Sequence, residues 1–167
     1  MMIKKMMLIA GCAVLLSGCT KSNIVQPEET QGPDFNMYMD IEIDEEQLRN
    51  DVNDIYLEED VYPMASAIEA DLKLEEECVD VTVVVKDGTS AEDAAYFADV
   101  ALKGINDQVA VQDFSYGESD EDTFGGLYQD NVINLKIYEE SAYQNGGEPM
   151  YETQVPKDTY MVFEIGA

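Results

Sequence analysis

The sequence predicts an α+β fold: a two-layer sandwich in which helices cover one face of a mainly antiparallel sheet of four to five strands. Three observations carry this expectation. Apolar residues alternate with polar ones at period two near residues 37–43, 79–85, 133–137 and 159–165. They recur at three- and four-residue spacing from Leu48 to Ile55 and from Ala94 to Ile105. The helical segments come early and the strands gather at the end, an order that suits segregated layers rather than a repeated strand–helix unit.

Taken in order, Met37, Met39, Ile41 and Ile43 alternate with Tyr38, Asp40 and Glu42, which predicts a half-buried strand over residues 36–43. Asp44 followed by Gln47 resembles a capping box, and Leu48, Val52 and Ile55 continue as one helical face. Pro63 is expected to break that helix and open a second one, with Met64, Ile68 and Leu72 on one face. The acidic run Glu75–Glu77 would sit badly at a helix C-terminus, so fraying is expected there. Val79, Val81, Val83 and Val85 form the clearest strand, and Asp87–Gly88 is a turn signal. Thr89 with Glu92 predicts the start of a long helix over about 91–108, which would bury Ala94, Phe97, Ala98, Ala101 and Ile105. Val109, Val111 and Phe114 suggest a return strand over 109–116, followed by a polar loop from Gly117 to Gly126. Ile133, Leu135 and Ile137 mark another strand. A Gly/Pro/Asn-containing connection spans 141–158, and Thr159, Met161, Phe163 and Ile165 end the domain as a terminal strand.

Composition narrows the chemistry. The formal net charge of −27 opposes binding to nucleic acid or anionic polymers. A hydrophobic fraction of 46%, organised into periodic segments, supports a packed core despite that charge. Histidine is absent, which excludes Ser–His–Asp and Cys–His catalysis, and zinc sites lack the His or Cys they need. No glycine-rich phosphate loop occurs.

The first nineteen residues carry the one specific motif. Lys4 and Lys5 form a positive start, Met6–Leu16 is a short uncharged apolar run, and Leu16-Ser17-Gly18-Cys19 closes it. The run is too short to span a bilayer. Its ending resembles the lipobox of bacterial lipoproteins. That resemblance covers only the leader. It implies cleavage after residue 18, diacylation of Cys19, and attachment to the extracytoplasmic face of the cell membrane through the acyl chains. Residues 1–18 are then a signal peptide, 19–33 an acylated flexible tether containing Pro27 and Pro33, and 34–167 a single domain. Loss of Lys4 and Lys5 makes the mature chain two charges more negative. Cys12 leaves with the signal and Cys19 carries lipid, so Cys78 alone remains, and it reads as a small buried residue at the start of a strand.

Three constellations in the domain could carry chemistry. Glu118, Asp120 and Asp122, with Gly125 at the sixth position counted from Asp120, form a possible calcium loop. Phe124 at position five and Asn131 at position twelve depart from the EF-hand pattern, so a solvated acidic loop is favoured and no metal ligand is assigned. Tyr38, Lys136 and Tyr138 would share the sheet face turned away from the helices and form a possible recognition face. Among 36 acids, chance pairs are unavoidable, so no catalytic carboxylate is assigned. The expected function is therefore a membrane-anchored extracytoplasmic lipoprotein acting as a non-catalytic binding module of the cell envelope. Its expected partners are the bilayer through Cys19 and an envelope protein, and no cofactor beyond a possible Ca²⁺ is expected. A carboxylate-based envelope glycan hydrolase and a calcium- or small-ligand-binding lipoprotein are the alternatives.

Overall fold

A helix starts at Glu45 because Asp44, in an extended conformation, accepts a 2.9 Å hydrogen bond from the Gln47 backbone N–H through its side chain. The computed structural model describes residues 41–166, and all of these belong to one compact unit. Helix α1 (Glu45–Tyr56) buries Leu48 and Val52. Strand β1 (Ala65–Lys73) pairs antiparallel with β2 (Cys78–Val85) through a tight connection in which Glu77 adopts φ 55°. Helix α2 (Ala91–Gln112) crosses back over the sheet, so that β3 (Val132–Glu139) can lie parallel to β2. A short helix α3 (Glu140–Gln144) leads to β4 (Tyr151–Val155), antiparallel to β3. The sheet order is β1-β2-β3-β4, with two antiparallel pairings and one parallel. The fold is α+β.

The core lies between the sheet and α2. Val79, Val81, Val83, Val85, Ile133, Leu135 and Ile137 point to one side and meet Ala94, Phe97, Ala98, Ala101, Leu102 and Ile105. The alanines let α2 sit close to the sheet. Alpha-helical packing of α1 on α2 is equally close at Gly104, where a Cβ would strike the Tyr56 ring.

Five elements differ from the sequence expectation. Residues 41–44 are not a strand, and Ile41 is exposed; residues 36–40 of the expected strand, Tyr38 included, lie outside the described residues. The segment after Pro63 is β1 rather than a helix. Met64, Ile68 and Leu72 are spaced by four, a spacing that a strand satisfies as well as a helix, and pairing with the valine strand decides between them. The helix expected to end near residue 108, with a return strand over 109–116, continues to Gln112, because Val109 and Ala110 extend the buried stripe of Ile105; Val111 and Phe114 are exposed. The long connection contains both α3 and β4. Finally, residues 159–165, expected as a terminal strand, join no strand among the described residues, and β4 ends the sheet. After Pro156 the chain turns at Asp158 (φ 51°), whose N–H donates to the Tyr128 carbonyl, and passes over the helix side. There Phe163 is buried against Phe124.

The helices are also not all on one face. Alpha-3 lies under the opposite face, where Tyr143 donates a 2.7 Å hydrogen bond to Glu69 and packs edge-on against Tyr138. This cover explains why Val84, on the otherwise polar face, is fully buried. Among the described residues no helix is long and apolar enough to cross a membrane.

Candidate functional site

The residues singled out in the sequence fall in two separate places. The first is the loop that holds Glu118, Asp120 and Asp122. Its ends are drawn together by Gly126 N–H donating to the Gly117 carbonyl at 2.9 Å, an approach so close that a Cβ at Gly126 would collide with Gly117. Asn106 on α2 holds the stem. It is fully buried, its amide N–H₂ donates to the Gly117 carbonyl (3.0 Å) and its oxygen accepts from Leu127 N–H (2.9 Å). Neighbouring Asp107 accepts from both the backbone N–H (2.7 Å) and the hydroxyl (2.9 Å) of Ser119. The loop acids do not converge. Asp120 accepts from the Asp122 backbone N–H at 2.7 Å, and no group of three or more potential ligands forms among the described residues. The acids here close their own turn.

The second place is the outer sheet face, where Lys136 and Tyr138 stand as expected. The parallel register sets Asp80 opposite Asn134 and Thr82 opposite Lys136. Both lysines on this face have a local acidic partner. Lys73 bonds Asp80 at 2.5 Å, Asn134 donates to Asp80 at 2.6 Å and accepts from Gln154 at 3.0 Å, and Lys136 pairs with Glu152 at 3.3 Å. The hydrogen bonds from Lys73 and then Asn134 hold the Asp80 carboxyl below its ordinary range, and the bond to Asp80 raises Lys73 to about 12. Tyr138 does not project as a free platform, because its ring is met by Tyr143 of α3. Cys78, expected to be buried, is half-exposed at the end of this face beside Val132 and Lys73. Water-exposed ion pairs of this kind contribute little to stability, and they leave neither Lys73 nor Lys136 free to meet an anionic ligand.

A third site emerges only in three dimensions. The chain from Thr159 to Ile165 passes over α2 outside any helix or strand and is pinned at two points. Tyr160 packs on Phe124 (4.9 Å between centroids) with the Lys103 ammonium 4.8 Å over its ring, and Phe163 stacks on Phe124 at 5.9 Å and meets Tyr151 edge-on. Lys103 is itself held by Asp99 at 3.1 Å; partial burial works against its charge, but the Asp99 bond and field outweigh that and its pKa is raised. Val162, between the two pins, points outward and is 74% exposed.

This crossing leaves a groove of about 600 Å³ between the segment and the first half of α2. Ala91, Ala95 and Tyr96 form one wall, and Val162, Phe163 and Ile165 the other. The two alanines leave room, while Tyr96, 57% exposed, adds an aromatic edge. Glu92, Asp99 and Glu164 also border it. Asp99 is neutralised by Lys103, so Glu92 and Glu164, both exposed, are the charges here without a basic partner among the described residues. An apolar floor with an acidic border is unlike the outer sheet face. It can take an apolar group from water and favours a neighbouring positive charge. Reading residues 159–165 as a terminal strand turns Val162 and Glu164 away from the core and misses the groove. The available signal was an apolar residue, Val162, on that solvent side.

Comparison with family models, with curated proteins and with solved structures gave no match for this chain.

Proposed function

We propose that the protein is a membrane-anchored extracytoplasmic lipoprotein, held through acylated Cys19, whose domain acts by binding a partner in the cell envelope and not by catalysis. The groove between α2 and residues 159–165 carries this reading. It joins an apolar floor to exposed Tyr96 and Val162 on a surface otherwise rich in acids, and contiguous exposed apolar surface of this kind marks contact sites. A glycan hydrolase would need a carboxyl raised towards neutrality by burial. The carboxyls of Glu77 and Asp80 are displaced the other way, each first by a lysine hydrogen bond. The high negative charge keeps the domain off anionic surfaces, which suits a module presented on a lipid tether.

The test is site-specific photo-crosslinking in intact cells. A photoreactive residue at position 96 should capture one dominant protein, and the same residue at position 152 on the outer sheet face should not. Cys19→Ser should abolish metabolic labelling with an alkynyl fatty acid and remove the adduct. Identical capture from positions 96 and 152, or undiminished labelling of Cys19→Ser, would defeat the proposal.

A further inference from the structure

The groove carries a charge pattern as well as an apolar floor. Ala91, Glu92, Ala95, Tyr96 and Asp99 follow one another along α2 at steps of one, three, one and three, which turns them to one face over two helical turns, roughly 12 Å. The two alanines leave room there for a side chain from outside, and Tyr96 stands beside them with 57% of its surface exposed. On the facing wall Val162 is 74% exposed, and Glu164, two residues on, is exposed as well. Apolar positions are thus flanked by carboxylates on both walls.

Charge selects the occupant. Lys103 bonds Asp99 at 3.1 Å and lies 4.8 Å over the Tyr160 ring, which compensates that corner. Glu92 and Glu164 carry the rest of the border charge in contact with water. A fatty acid or other apolar anion would bring a like charge to this border, and a second copy of a chain of net charge −27 would bring more of it. The chain's own segment from Thr20 to Asp40, with four acids and one lysine, has the same sign. The complementary occupant is an apolar group joined to positive charge.

From this we infer that the groove seats a large apolar side chain of a partner protein, Leu or Phe in size, with Lys or Arg beside it on the partner's surface. The apolar side chain fills the space between Ala91, Ala95 and Tyr96 on one wall and Val162 and Ile165 on the other. The basic side chains face Glu92 and Glu164. Removal of the apolar group from water supplies most of the affinity, while the ion pairs, open to solvent at the rim, select the partner and speed its encounter. This inference rests on the groove being the interaction site and names the chemistry of its partner.

The experiment measures fluorescence anisotropy of labelled octapeptides on the full-length chain. The first probe carries two leucines flanked by lysines; in the second the leucines are replaced by alanine, and in the third the lysines are replaced by glutamate. The first should bind at least tenfold more tightly than either of the others, since burying one leucine is worth roughly tenfold to a hundredfold. Val162→Lys should weaken binding of the first probe at least tenfold and Tyr96→Ser at least threefold. Both positions are exposed, and either variant decides the point if the other fails to fold. Glu92→Gln with Glu164→Gln should weaken binding about threefold to tenfold and flatten its salt dependence. Glu75→Gln with Glu76→Gln, the same loss of charge at exposed residues of the β1–β2 connection, should leave it within about twofold.

Equal binding of the leucine and alanine probes would overturn the inference and leave only non-specific attraction to an acidic protein, and equal weakening by the two glutamine pairs would do the same. Equal binding of the lysine and glutamate probes would overturn the selection by charge. Octylamine binding that Val162→Lys abolishes, measured by calorimetry, with no peptide bound, would replace the partner protein by a small cationic amphiphile. Concentration-dependent dimers blocked by Val162→Lys would replace it by a second copy. If crosslinking from position 96 captures a partner while the leucine probe fails, the basic and apolar partner chemistry falls and the interaction site stands; if neither occurs, both fall.

Discussion

Replacing Asn106 tests the account of how the acidic loop is held. Asn106 is fully buried, and its two backbone hydrogen bonds satisfy Leu127 N–H and the Gly117 carbonyl, both at the stem of the loop. Asn106→Ala removes the partner of each group while leaving the groups themselves in place. An orphaned buried donor or acceptor costs roughly 1–3 kcal/mol, so the pair should cost about 2–6 kcal/mol. That is a large part of the roughly 5–15 kcal/mol expected for a whole domain. In urea, with a slope of about 1–3 kcal/mol per molar, the unfolding midpoint should move down by roughly a molar or more. Asn106→Asp provides the control on chemistry. One carboxylate oxygen can still accept from Leu127 N–H, but the other would face the Gly117 carbonyl and the Asp107 carboxylate. Protonation restores a donor, so the folded-state pKa at this position is raised above the unfolded value of about 3.9. The penalty is then absent below that value and grows as the pH rises through the raised one. The stability gap between Asn106→Asp and the native chain should narrow as the pH falls from 7 to 4. A loss below about 1 kcal/mol for Asn106→Ala, or a gap that does not change with pH for Asn106→Asp, would refute the reasoning.

Two further outcomes are expected. Gly125 has φ 104° and ψ 180°, a region open almost only to glycine, and a Cβ there would fall within the Asn106 amide; Gly125→Ala should destabilise by about 3 kcal/mol or more, measured by the same urea titration, and an unchanged midpoint would contradict the local geometry. Burial, with a smaller contribution from the field of Asp107, pushes the Tyr128 phenol well above its ordinary 10.0, so its share of the stability is intact below pH 10 and is lost as the pH climbs beyond. Tyr128→Phe loses the hydrogen bond to the Leu102 carbonyl, costing about 1 kcal/mol near neutrality, and above pH 10 its stability should fall less steeply than that of the native chain by about 1.4 kcal/mol per pH unit. Parallel curves would show that the phenol is not excluded from water.

The elements that could be read from the sequence are those in which local pattern and tertiary pairing agree. Beta-2 and β3 alternate without interruption, and the Asp44 cap and the buried stripe of α2 follow from spacing alone. Disagreement arose where one pattern serves two structures. Ile68 and Leu72, four apart, satisfy both a helix and a strand, and only the register against Val83 and Val79 places them in β1. Val109 and Val111 alternate, but the fully buried Val109 belongs to the stripe of Ile105. Beta-4 spans only five residues between glycines and Pro156, too short for its alternation to stand out. Of the candidate residues, Lys136 and Tyr138 share the expected face, while Glu118, Asp120 and Asp122 do not converge. The groove was hidden because its walls come from α2 and from a segment about seventy residues further along, whose alternation suggested a strand although it joins no sheet among the described residues.

The closed stem at Gly117 and Gly126 separates the acidic loop from the architecture beneath it. Its ends are fixed to each other and to Asn106, so what lies between them can vary in length without disturbing the sheet or α2. The entropy of closing a flexible loop grows only with the logarithm of its length, and doubling the span would cost roughly 0.6 kcal/mol. Ser119 is tied to Asp107 of α2, so residues 120–122 form the natural insertion point, where an epitope tag or reporter peptide can be displayed while the fold below remains as it is.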